Sequence, residues 1–110
     1  MNNYREYIGE KFEKPYACLD LVVKVWNEKF QRSIPITGVS TTMEYFRQHL
    51  IPTKAPREGD LVLMKSEQWH AGVVISEGNM IHTFPDGCAG VERYDGLLWK
   101  NRVRGFYTWI

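Results

Sequence analysis

The apolar residues of this chain change their period near its middle. From Cys18 to about Phe30, the positions Cys18, Leu21, Val22, Val25 and Trp26 fall on one face of an α-helix. Upstream, Tyr4, Tyr7, Ile8 and Phe12 are spaced in a similar way within the polar segment Asn3 to Glu13. They predict an amphipathic helix that Gly9 weakens and Pro15 ends. Ser33 to Gly38 reads as a loop. A further helix starts among Ser40, Thr41 and Thr42, with Glu44 three residues after Thr41 as a capping box. It runs to Leu50, and Pro52 and Pro56 end it.

After Gly59-Asp60 the apolar runs become short. LVLM, WHAGVVIS, NMIHTF, AGVERY and RGFYTW are rich in β-formers and are separated by Gly, Asp, Asn and Pro, the pattern of an antiparallel sheet. YDGLLWKN, between the last two, fits a single helical turn. No repeat or low-complexity segment interrupts the chain. The expectation is an α+β fold: N-terminal helices packed on one face of a C-terminal antiparallel sheet of about five strands.

Composition narrows the function classes. The 110 residues suit one domain, residues 1–110, with an ordinary core that needs no metal or disulfide staple. Apolar residues make up 44% and charged residues 25%, the profile of a globular protein. A formal charge of +1 gives no reason to expect nucleic acid or an anionic membrane as partner. The longest unbroken apolar run, Leu61 to Met64, is too short to span a bilayer. The N-terminal residues carry no apolar core of a secretory signal. The two cysteines, Cys18 and Cys88, do not make a disulfide framework, and reduced thiols are expected.

The candidate chemistry begins at Cys18. A helix N-terminus stabilises a thiolate through its free N–H groups and its dipole, and the same groups can hold an oxyanion. Cys18 also begins the apolar stripe, and free cysteine is among the most buried residue types. These residues alone leave both readings open. A cysteine nucleophile needs a base, usually histidine, oriented by a third polar group. His49 lies in a helix beside Phe46 and Leu50 and reads as a partly exposed helix residue. His70 begins one strand and His82 ends part of the next, around a turn at Glu77-Gly78-Asn79. Pairing centred on Ser76 sets residues 70 and 82 directly opposite. A plain two-residue turn at Glu77-Gly78 sets them on opposite faces, because strand side chains alternate. If the histidines act together, the connection is odd in length or carries a bulge, and Gly78 allows either. Gly59-Asp60 reads as the turn into a strand, Trp69 as a cleft wall or a sheet-edge packing residue, and Cys88 as a loop bystander. Cys18, His70, His82 and Cys88 together could form a Cys₂His₂ zinc set, but they lack the close-paired cysteines of structural zinc sites. No cofactor or metal is expected.

Taken together, Tyr16-Ala17-Cys18-Leu19-Asp20-Leu21-Val22, Gly59-Asp60-Leu61-Val62, His70-Ala71-Gly72-Val73 and Met80-Ile81-His82 resemble the NlpC-type cysteine peptidases of bacterial cell walls and phage tails, a small papain-like fold. The likeness runs from about Tyr16 to Tyr107, and WKNRVRGFY resembles the closing strand of phage-type members. The order Cys, His, His also differs from that of permuted acyltransferase relatives, in which His precedes Cys. The resemblance implies Cys18 as nucleophile, His70 as general base and acid, and His82 as the residue that orients His70. It implies a cysteine peptidase or amidase acting on peptidoglycan stem peptides, with phage tail proteins as further partners. Two positions depart from the family pattern: Ala17 stands for an Asp, and Asp20 for a Gly. Asp20 suits the helix dipole but competes with a thiolate for it. With no signal expected, a virion (phage tail) location fits best, and a cytoplasmic effector that is later released or injected comes next. The rival is an inactive papain-like domain with a structural role in tail assembly.

Overall fold

The computed structural model describes residues 3–13, 16–34 and 39–110, with residues 39–42 described by their backbone only. Helix α1 is Ala17–Lys29, as its apolar stripe requires, and Leu21, Val22, Val25 and Trp26 are fully buried. Each such burial contributes about 1.5–3 kcal/mol. Helix α2 is Val39–His49. The strands are β1 Leu50–Thr53, β2 Leu61–Lys65, β3 Trp69–Ser76, β4 Asn79–Thr83, β5 Ala89–Arg93 and β6 Val103–Trp109. They form one sheet in the order β1-β6-β2-β3-β4-β5, with antiparallel neighbours throughout.

Alternation along the strands gives the sheet two buried faces. Ala71, Val73 and Ile81 pack with α1 on one. Val62, Met64, Val74 and Met80 lie on the other, under Tyr94, Trp99, Val103 and Phe106. Helices therefore cover one face, as expected, and the segment from Tyr94 to Val103 covers the other. That segment closes a turn in which the Lys100 N–H donates to Gly96 O.

The fold departs from the sequence expectation in two places. Asn3 to Glu13 does not form an amphipathic helix. Only Arg5–Tyr7 makes a short 3₁₀ turn, and Gly9 takes φ +82°, a conformation that breaks a helix. The backbone beyond it joins the start of β5: the Gly9 N–H donates to Ala89 O, the Ala89 N–H to Glu10 O and the Phe12 N–H to Gly87 O. Tyr4, Tyr7 and Phe12 are still buried, but from a strap rather than a helix. Second, Leu50, expected as the last residue of α2, opens β1, which adds a strand to the five expected after Gly59. Pro52 is compatible with this because β1 is an edge strand. The single helical turn expected in YDGLLWKN is present, closed by the Lys100 N–H bond to Gly96 O at 2.9 Å. The break expected at Pro15 lies outside the described residues, as do the capping side chains of Ser40, Thr41 and Thr42 and most of the loop after Ser33.

Gly59 anchors the helix to the sheet. Its carbonyl accepts the Trp26 Nε1–H at 2.7 Å in a buried bond. Its φ is +95°, and the Phe30 ring fills the space a Cβ would need. Asp60, also buried, accepts the Arg57 N–H on Oδ2 at 2.8 Å. Gly59-Asp60 thus builds the turn into β2, as the sequence suggested. Replacing Trp26 with Phe removes one donor, keeps an aromatic ring against Phe46 and Trp109, and leaves the Gly59 carbonyl buried and unpaired. We expect a loss of about 1–3 kcal/mol, seen as a lower denaturant midpoint with an unchanged slope.

Candidate active site

The hairpin between β3 and β4 decides where the two histidines stand. Ser76 pairs with Asn79 across a two-residue turn, Glu77-Gly78, yet Val74 pairs with Met80 and Val73 with Ile81. One extra residue, Ile75, is therefore bulged out. The bulge moves the ladder by one position and restores His70 and His82 to the same face. The residue across from His82 is Gly72, not His70, so the direct pairing centred on Ser76 does not occur. The histidines meet on the diagonal instead, with His70 Nε2 2.8 Å from His82 Nδ1. Gly72 makes this approach possible: a Cβ there would lie 2.9 Å from Ile81 O and 3.1 Å from His82 Cβ. Another glycine, Gly90, pairs with His82 from β5.

Cys18 approaches the same place from α1. The first intrahelical bond runs from the Asp20 N–H to Tyr16 O, and the N-cap Tyr16 supplies no side-chain cap. The amides of Ala17, Cys18 and Leu19 are thus left without intrahelical partners, which is how a helix start becomes an anion site. The backbone N–H groups of Ala71, Leu19 and Cys18 lie near enough to the thiol to favour its ionised form. The Val74 N–H donates to Asp60 O on the β2 side, so alternation directs the Ala71 N–H toward β4, in the plane of the sheet. The paired rungs of β3 and β4 end at Val73 and Ile81. Ala71, whose N–H acts on the thiol, is the neighbour of His70 in β3.

Beyond His82 the contacts continue. His82 Nε2 lies 2.8 Å from Glu92 Oε1, and the Trp99 Nε1–H donates to that same oxygen at 3.1 Å. The Trp99 ring stacks on His70, with centroids 5.6 Å apart and an interplanar angle of 19°. It meets His82 edge-on at 5.4 Å. These contacts join β3, β4, β5 and the turn before β6.

The model of the NlpC/P60 family matches residues 6–108, from the strap to the last strand. The chain belongs to the NlpC/P60 family. No curated protein matches it. The family's activity is that of cell-wall peptidases and amidases, which agrees with the earlier resemblance and with the α+β architecture. Among the described residues, no helix is long and apolar enough to cross a membrane.

Other residues singled out in the sequence of this NlpC/P60 domain stand apart from the site. His49 stacks on Tyr45, with centroids 4.1 Å apart, as a half-buried helix residue. Trp69 is 58% exposed beneath the Lys65 ammonium, and it is Trp99 that stacks on His70. Cys88 pairs with Lys11 in an isolated bridge. Among the described residues, no group of three His, Cys, Asp or Glu side chains is placed to hold a metal. Glu92 and Trp99 were not found from sequence. Glu92 is the outward residue of a strand until the β4–β5 register is known, and Trp99 heads WKNRVRGFY, which was read only for its likeness to a closing strand.

Burial sets the charge state of this NlpC/P60 site. It pushes the Cys18 thiol above its usual range, against the pull of the backbone N–H groups, and Asp20 adds a smaller push in the same direction. The low-pKa thiolate expected from the helix N-terminus is therefore not the resting state. Desolvation lowers His70 to about 4, helped by repulsion from His82 and opposed by Glu92. Desolvation also lowers His82, against its bond to Glu92. These shifts favour a neutral thiol at Cys18 and neutral imidazoles at His70 and His82 near neutral pH.

Two outcomes follow. Between the unfolded His70 value of about 6.5 and the folded value of about 4, the unfolded chain binds more protons, so stability rises with pH across that window. It is fully present above about 6.5 and falls as the solution is acidified toward 4. The loss is at most about 3 kcal/mol, and thermal melts of a His70→Gln variant should show a shallower acid slope than wild type. Gly72→Ala puts a methyl against Ile81 O and His82. It should cost about 1–3 kcal/mol and displace His82, so that any turnover falls more than stability alone would explain.

Proposed function

We propose that this protein is a cysteine endopeptidase or amidase that cleaves peptide bonds in peptidoglycan stem peptides. Cys18 is the nucleophile, His70 the base and acid, and His82 the group that holds His70. The observation that carries this reading is the 2.8 Å contact of His70 Nε2 with His82 Nδ1. It occupies one nitrogen of His70 and leaves Nδ1 to exchange a proton with a thiol that lies against the next residue of the strand. Family membership supplies the substrate class.

In the proposed reaction, Sγ attacks the scissile carbonyl carbon while its proton passes to His70 Nδ1. The free amides at the start of α1 receive the negative charge that develops on oxygen. The imidazolium then protonates the departing amine, leaving a thioester. Water attacks the thioester, His70 takes the water's proton and returns it to sulfur, and the acid product leaves. Because thiol and imidazole rest neutral, proton transfer accompanies attack rather than preceding it. We place the protein in a phage tail, a reading supported by the likeness of Trp99 to Tyr107 to the closing strand of phage-type members.

One observation favours a second reading, a weak or inactive domain with a structural role in the tail: burial and Asp20 both hold the thiol protonated. A peptidoglycan digest followed by mass spectrometry separates the two. For the enzyme, wild type releases stem-peptide fragments. Cys18→Ser, which changes volume little, stays folded and releases none, and His70→Ala is equally inactive. His82→Ala retains a residue of activity, since it acts through the base. For the structural domain, wild type also releases nothing, and a phage carrying Cys18→Ser assembles and infects normally. Asp20→Gly removes one of the charges that hold the thiol protonated. It should speed alkylation of Cys18 by iodoacetamide and raise turnover at neutral pH. An unchanged labelling rate would mean that Asp20 is only a helix-start residue.

A further inference from the structure

We infer that Glu92 is a positioning residue of this site: its carboxylate fixes the tautomer of His82 and, through it, that of His70. The inference rests on the reading of His70 as the base and adds a residue to it. A carboxylate only accepts hydrogen bonds, and a neutral imidazole has one donor nitrogen and one acceptor nitrogen. Glu92 Oε1 lies 2.8 Å from His82 Nε2, so Nε2 carries the hydrogen and His82 Nδ1 is left as an acceptor. That acceptor is 2.8 Å from His70 Nε2, which must then be the donor. The lone pair of His70 is thereby confined to Nδ1, the nitrogen that a general base for Cys18 needs free. Each polarity along the chain follows from the one group at its end that cannot donate.

Trp99 supports the same direction. Its Nε1–H donates to Glu92 Oε1, and its ring lies on His70. The contacts therefore close a circuit from Glu92 through His82 and His70 to Trp99 and back. His82 is 1% exposed, so water cannot readily replace Glu92 as its partner. The charged and titratable groups around this circuit are Cys18 on α1, His70 on β3, His82 on β4, Glu92 on β5, and Arg102, which lies over the Trp99 ring. Glu92 is the anion that opposes the lowering of both imidazole values. It would stabilise the imidazolium that forms on His70 during attack.

The tautomers can be read without any substrate. In ¹⁵N NMR of the wild-type protein near neutral pH, both His70 and His82 should carry their proton on Nε2, with Nδ1 unprotonated. The opposite tautomer at either ring overturns the inference. Glu92→Ala should convert His82 and His70 to tautomer mixtures and lower kcat by about 10- to 100-fold with KM little changed, less than the 10²–10⁴ that a general base supplies. Glu92→Gln keeps an acceptor beside the Trp99 N–H. It should preserve the tautomers and restore part of kcat, while the acid limb of kcat/KM moves to lower pH because the anion that raises His70 is gone. If Glu92→Ala folds and keeps both tautomers and the wild-type pH profile, Glu92 is only a packing residue. If it fails to fold, the wild-type spectrum and the Glu92→Gln profile decide. A protein with the expected tautomers but no peptidase activity would refute the proposed reaction and leave the relay standing.

Discussion

Two side chains on neighbouring strands can meet only if they leave the sheet on the same side, and the contact between His70 and His82 depends on that parity. A two-residue turn alone would send the imidazoles to opposite faces. The Ile75 bulge reverses this, and the glycine across from His82 opens the diagonal along which the rings approach. The remaining parts of the site presuppose this contact. Trp99 can stack on one imidazole and meet the edge of the other only because both stand on the face it covers. Glu92 reaches His82 by the same kind of diagonal from β5, past Gly90.

Burial then acts on the proposed nucleophile and base in the same sense. Removing water penalises a thiolate and an imidazolium alike, so the cysteine titrates late and the histidine titrates early. Such a pair differs from a preformed ion pair. In the proposed reaction it carries little charge while waiting and depends on groups fixed beforehand, the first amides of α1 and the carboxylate on β5, to receive charge when it appears.

Much of this was legible in the sequence, for identifiable reasons. Helix α1 carries a stripe that packing leaves little choice about, and the five runs after Gly59 kept their strand periodicity. The parity requirement on the hairpin could be stated from residue numbers alone. That it would be met by a bulge at Ile75 could not, because Ile75 looks like any other strand residue. The strap was misread because Tyr4, Tyr7 and Phe12 are buried at helical spacing while the backbone between them is bent by Gly9. Strand β1 was missed because Pro52 argues against a strand unless the edge position is known. Glu92 shares its alternating pattern with many exposed strand residues, and only the β4–β5 register turns it toward His82. The thiol's charge state stayed open in the sequence, since the helix dipole is visible there and the depth of burial is not.

The strap over β5 and the proline in β1 bear on how copies of this chain can associate. The last strand on either side of a sheet offers unpaired amides and carbonyls to any passing strand, the usual route to fibrous aggregates. Here Pro52 removes a donor from one border, and on the other residues 9 to 12 already occupy the opening rungs beside Gly87 and Ala89. Copies crowded together would find few main-chain templates to extend, so an ordered assembly would have to be built by side chains. Trimming the strap would reverse this, since it would expose the rungs at Gly87 and Ala89 and unroof the buried rings of Tyr7 and Phe12 in one step.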